Sequence, residues 1–120
     1  MSKKTNLPPE DKIELYDQLI ATNPEIERKG VSNPYTSVNG YMFTHLSKTG
    51  SMGLRLSKDD REAFLEKYNT SLYKSYGAII KEFVTVPGEL LENTGELKPY
   101  LDLSYAYTKS LKPKPTKKKS

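Results

Sequence analysis

The sequence predicts an α+β fold: an antiparallel sheet of about five strands with an N-terminal helix, a short middle helix and a C-terminal helix packed against it. Three observations carry that expectation. An amphipathic helical pattern precedes Asn23-Pro24, and short apolar segments punctuated by glycines fill residues 30–57. A β-branched stretch over residues 78–86 is then followed by helical spacing as far as Leu111.

The elements can be justified in chain order. Pro8 and Pro9, followed by Glu10 and Asp11, start the first helix, because proline suits a first turn and acids favour the positive end of the helix dipole. Ile13, Tyr16 and Ile20, with Leu15 and Leu19 beside them, mark its buried side, while Glu14, Asp17 and Gln18 face away. Asn39-Gly40 is a two-residue hairpin signal, since both positions tolerate positive φ, and Thr49-Gly50-Ser51 makes a second turn. Together they predict a three-strand meander. In its third strand Met52, Leu54 and Leu56 alternate with Gly53, Arg55 and Ser57, so Arg55 projects from the face opposite the core. His45 is expected on a strand face shared with Tyr41 and Phe43, and Gly50 and Gly53 are read as hairpin glycines. Ser57 caps the middle helix, Asp59 and Asp60 occupy its first turn, Phe64, Leu65 and Tyr68 form its apolar side, and it ends near Asn69. Residues 72–86 are extended, divided at Gly77 into two strands and stopped by Pro87-Gly88. Asn93 and Glu96 form a capping-box pattern for the last helix, whose inner side runs through Leu97, Leu101, Ser104, Tyr105 and Leu111, with Pro99 expected near its first turn. Residues 1–9 read as a flexible leader, 10–111 as the folded domain, and 112–120, with no apolar residue to bury, as a disordered Lys/Pro tail.

Composition narrows the function classes. A chain of 120 residues suits one core, and the lack of cysteine removes disulfides, thiolate nucleophiles and cysteine-based metal sites. No secretory signal pattern and no membrane span are visible, so a cytoplasmic protein without membrane contact is expected. The formal net charge is +4, but between Glu10 and Tyr107 eleven Lys or Arg face fifteen Asp or Glu. The body is acidic, and the surplus positive charge sits on Lys3, Lys4, Lys109 and the tail lysines Lys112, Lys114, Lys117, Lys118 and Lys119. A folded DNA-reading face normally carries its own cationic cluster, so only weak, nonspecific nucleic-acid binding by the tail is expected.

No catalytic constellation emerges. His45 is the single histidine and reads as an ordinary packed residue, because metal binding or base catalysis would need partners that no spacing supplies. Asp59 and Asp60 diverge on a helix and are accounted for by the helix dipole. Gly50 and Gly53 do not lead into a helix and so make no phosphate loop. Neither a metal nor a cofactor is expected. Tyr73, Lys74, Tyr76 and Lys81 interleave aromatic and cationic groups as a base-stacking surface would, although half-buried strand tyrosines explain the same pattern.

The run Val38-Asn39-Gly40-Tyr41-Met42-Phe43, with Leu54-Arg55-Leu56 and Asp60-Arg61, resembles the amino-terminal domain of the TfoX/Sxy family. Lys81-Glu82-Phe83-Val84-Thr85-Val86-Pro87 is similar to that family's late strand, and Leu101, Ser104, Tyr107, Ser110-Leu111 and the Lys-Pro-Lys segment are similar to its closing helix. The resemblance covers roughly residues 11–119. It implies a YjbR-like α+β domain and a bacterial family whose best-known members regulate natural-competence genes with the help of a second, carboxy-terminal helical domain, which this chain is expected to lack. It supplies no catalytic residue. Arg55, Arg61, Lys81 and Glu82 are motif positions that turn, core and strand-end roles do not account for, and with Lys74 they are the candidate binding residues. The resulting expectation is a non-enzymatic interaction module with a protein partner, monomeric or homodimeric. The alternatives are a nucleic-acid binder using the tail with Arg55, Lys74 and Lys81, and a small-molecule enzyme with a pocket lined by Arg55, Glu82 and His45.

Overall fold

A computed structural model describes residues 8–30, 34–75 and 77–113. Helix α1 (Glu10–Ile20) leads to the strands β1 (Tyr35–Val38), β2 (Tyr41–Leu46) and β3 (Met52–Arg55), and α2 (Lys58–Tyr68) then precedes β4 (Leu72–Ser75) and β5 (Ala78–Val86). Helices α3 (Gly88–Leu91) and α4 (Thr94–Ser110) close the fold. The sheet is antiparallel and five-stranded in the order β1-β2-β3-β5-β4, which is the α+β architecture the sequence predicts.

Local chemistry explains most of the boundaries. Asn39 and Gly40 take φ values of 58° and 84°, the left-handed pair that a tight hairpin between right-twisted strands requires. The Ser57 hydroxyl accepts from the Asp60 amide at the start of α2, and Asn69 ends that helix in the left-handed conformation. Asn93 accepts from the Glu96 amide at the start of α4. Pro99 lies in the second turn of α4, beyond the first turn expected for it, where it has no amide hydrogen to donate to the Gly95 carbonyl. A second departure follows Pro87. That residue does stop β5, but it also caps α3, whose Leu90 and Leu91 are buried and add a fourth helix to the three expected.

One core joins the helices to the sheet. Tyr16 and Leu19 of α1, Phe64 of α2, Leu90 and Leu91 of α3, and Leu97 and Leu101 of α4 pack with Phe43, Leu46, Met52, Leu54, Val84 and Val86. Within it the Tyr16 hydroxyl meets Thr44 Oγ1 at 2.5 Å, and Thr44 Oγ1 meets Thr36 Oγ1 at 2.8 Å. This buried chain satisfies three hydroxyls and fastens α1 to the first two strands.

Tyr73 and Phe83 are buried on the opposite face, next to Gly53 and Arg55. Gly53 is therefore not a turn glycine. A Cβ there would lie 2.5 Å from the Tyr73 ring, so the missing side chain lets an edge-strand tyrosine reach across the sheet. The face expected for His45 needs a similar correction. Thr36 pairs with Thr44 but Ser37 pairs with Met42, leaving Phe43 as the extra residue of a β-bulge. The bulge sends Phe43 into the core, while His45 stays on the Tyr73 face.

Candidate functional site

The sheet does not end evenly. β3 pairs with β5 only from Val86 to Phe83, and the Leu56 amide adds one bond to the Glu82 carbonyl. Beyond that point β5 has no β3 partner, and among the described strands only Ala78 and Ile79 pair again, with Ser75 and Lys74 of β4. The ladder is also broken: between Leu72 and Lys74 the edge strand advances two residues while β5 moves five, from Val84 to Ile79. The surplus residues form a wide bulge containing Ile80, Lys81 and Glu82, and Glu82 takes a φ of 72°. Such a backbone is strained for a side chain like glutamate and persists only where surrounding contacts enforce it.

Those contacts come from residues far away in sequence. Arg55 Nη1 donates to Glu82 Oε1 at 2.5 Å, and Tyr107, from the last turns of α4, donates its hydroxyl to Glu82 Oε2 at 2.7 Å. Arg55 Nε donates to the Met42 carbonyl at 2.8 Å, and its guanidinium lies over the Tyr41 and Phe83 rings, 5.7 and 5.1 Å from their centres. Arg61 Nη1 donates to the Leu56 carbonyl at 2.9 Å. Burial disfavours the Glu82 carboxylate, but the bonds from Tyr107 and Arg55 outweigh it and hold the carboxyl below its usual range. The same bond to Glu82, with burial adding to it, pushes the Tyr107 phenol up.

Three of the expected residues, Arg55, Arg61 and Glu82, are thus brought together, but as a structural junction that pins the bulge. The end of α4 is held nearby: Asn39 Nδ2 donates to the Lys109 carbonyl at 2.6 Å, and the Tyr41 hydroxyl donates to the Lys112 carbonyl at 3.0 Å. The first contact satisfies a carbonyl that the helix C-terminus leaves open, and the second holds the chain just past it.

The junction is the root of an arm made by β4 and the first half of β5, which extends past the end of β3. Lys74, Gly77, Ala78 and Lys81 are exposed on it, and Leu72 and Ile79 are 36% and 56% exposed. Lys74 and Lys81, the remaining two expected binding residues, therefore belong to the arm. Of the stacking set, Tyr73 is only 1% exposed and cannot offer its face to a base, and Tyr76 lies outside the described residues. Lys114, Lys117, Lys118 and Lys119 lie outside them too.

Among the described residues, side-chain hydrogen bonds join His45 to Tyr73, and Arg55 to Glu82. The His45 Nδ1 meets the Tyr73 hydroxyl at 2.7 Å, and burial pushes the His45 pKa below the usual histidine value. Three described clefts, of about 320, 540 and 390 Å3, are lined elsewhere, by Ile20, Pro24 and Ile26, by Glu10, Ile13 and Glu14, and by Tyr68, Leu90 and Glu96. Among the described residues no group of three or more His, Asp or Glu is placed to hold a metal ion, and no helix is long and apolar enough to cross a membrane.

Sequence reasoning missed Tyr107 as the partner of Glu82 and missed both bulges. Tyr107 stands next to Thr108 on the helix and was legible only as a motif position. No protein-family model matches the chain, and no curated protein matches it.

Proposed function

We propose that this protein is a non-enzymatic, TfoX-like interaction module that acts through protein contacts, in the bacterial cytoplasm and in the regulation of transcription or competence that the family resemblance implies. The observation that carries the reading is the β4–β5 arm. The first half of β5 runs past the end of β3, and two of the three large hydrophobic side chains exposed among the described residues lie on the β4–β5 pair, Leu72 opposite Val84 and Ile79 opposite Lys74. Exposed apolar groups clustered on one element favour a protein surface as partner. The two arginines a phosphate-binding face would use are engaged with Glu82 and with backbone carbonyls, which weakens the nucleic-acid reading.

Photo-crosslinking tests this. A benzophenone residue at position 79 is compared in cells with one at Leu103, which is 42% exposed on α4. The reading expects a discrete protein adduct from position 79 that forms again with the purified partner and is absent from position 103. Recovery of nucleic acid from position 79, or the same adducts from both positions, would contradict it.

A further inference from the structure

β4 is the terminal strand of the sheet order, so one row of its backbone donors and acceptors has no neighbouring strand among the described residues. Such an edge is a template for a further strand, and folded proteins commonly blunt it with a bulge or with charge. Here the bulge is on β5, the inner member of the pair, while the four-residue edge strand stays extended and carries one charge, Lys74. Leu72 and Lys74 are two residues apart and so share one strand face, where Lys74 stands opposite Ile79. That face thus offers an apolar group and an ammonium along the edge strand, with a second apolar group beside the ammonium on β5, and the Leu72 carbonyl already accepts from Thr85 Oγ1 at 3.4 Å.

Charge separates the arm from the rest of the molecule. Residues 72–81 contain Lys74 and Lys81 and no acid, whereas the body from Glu10 to Tyr107 has more acids than bases. A second copy added edge to edge would bring its own Lys74 to the same surface, and like charges facing across a strand pair are unfavourable. Two lysines would neutralise about two phosphates, too few for firm nucleic-acid binding at physiological salt. An extended protein segment meets both demands, with main-chain bonds for affinity and side chains complementary to Leu72 and Lys74 for specificity.

We infer that the β4 edge takes an extended acidic segment of a partner protein as a sixth strand, with a carboxylate set against Lys74 and an apolar side chain set against Leu72. The inference rests on the protein-contact reading above and names the chemistry of the partner.

The probe is a fluorescein-labelled peptide of repeating Val-Thr-Glu-Thr, whose one face alternates apolar and acidic groups, titrated against the full chain by fluorescence polarisation. The controls are a Val-Thr-Lys-Thr peptide and a Val-Pro-Glu-Pro peptide, which keeps the charge but removes amide donors. Binding of the first peptide alone is expected, weakened about tenfold by Lys74→Glu, less by Lys81→Glu and not at all by Lys48→Glu, an exposed lysine in the β2–β3 turn. No binding, equal binding of the proline peptide, or indifference to Lys74→Glu would overturn the inference. If the peptide fails while position 79 still yields a partner adduct, only the strand-addition inference falls. Displacement of the peptide by double-stranded DNA at physiological salt would take the protein-contact reading down with it.

Discussion

The two halves of β5 have similar sequences and opposite fates. Phe83, Val84 and Val86 are buried and pair with β3, Val84 standing between β3 and Leu72 of β4, whereas Ala78 and Ile79 pair with β4 alone and are exposed. Both halves are rich in β-branched or aromatic residues, so propensity cannot distinguish them. The difference is tertiary. β3 ends at Arg55, and the same Arg55 reaches the Glu82 carboxylate at the point where the two halves part. The first half therefore keeps apolar side chains that the core does not use, and these are the groups the proposed protein contact would engage.

Phe83→Ala tests the buried half most severely. The ring is 0% exposed, and its loss should cost about 3–5 kcal/mol in urea unfolding. Gly53→Ala comes next, because the new methyl group must displace the Tyr73 ring, for a loss of about 1–3 kcal/mol. Glu82→Gln sharpens the boundary itself. It leaves Arg55 without its ionic partner, and since both side chains keep some contact with water, at 15% and 23% exposure, the expected loss is about 1–2 kcal/mol.

Acid should reproduce that last effect. The Glu82 pKa is lower in the folded protein than its ordinary 4.5, so its stabilising contribution is complete above that value and disappears as pH falls through the folded one. Unfolding midpoints followed from about pH 7 to about pH 3 should thus fall less steeply for Glu82→Gln than for the wild type. Tyr107→Phe removes one of the two bonds to the carboxylate and should cost about 0.5–1.5 kcal/mol. Ile79→Asp, in the exposed half, should change stability by no more than about 0.5 kcal/mol.

What could be read from the sequence was what local chemistry decides. The Asn39-Gly40 turn, the Ser57 and Asn93 caps, the Gly77 division and the stop at Pro87 lie where residues with strong backbone preferences put them. What stayed hidden depends on residues meeting across the sheet. Glutamate carries no signal for positive φ, and Glu82 adopts it because Arg55 and Tyr107 hold its carboxylate. Phe43 obeys strand alternation in the sequence and escapes it through a bulge set by pairing with β1. Tyr73 looked half-exposed because the space it fills is made by Gly53, two strands away in the sheet. Arg55 and Glu82 were legible as polar residues in need of an explanation, and the explanation is the junction at the root of the arm.

The division of β5 into a structural half and a contact half is tested most directly by Ile79→Asp, measured for urea unfolding and for calorimetric binding of the purified crosslinking partner. The account predicts an unchanged unfolding midpoint and binding weakened at least about tenfold. A clearly lowered midpoint, or binding equal to that of the wild type, would contradict it.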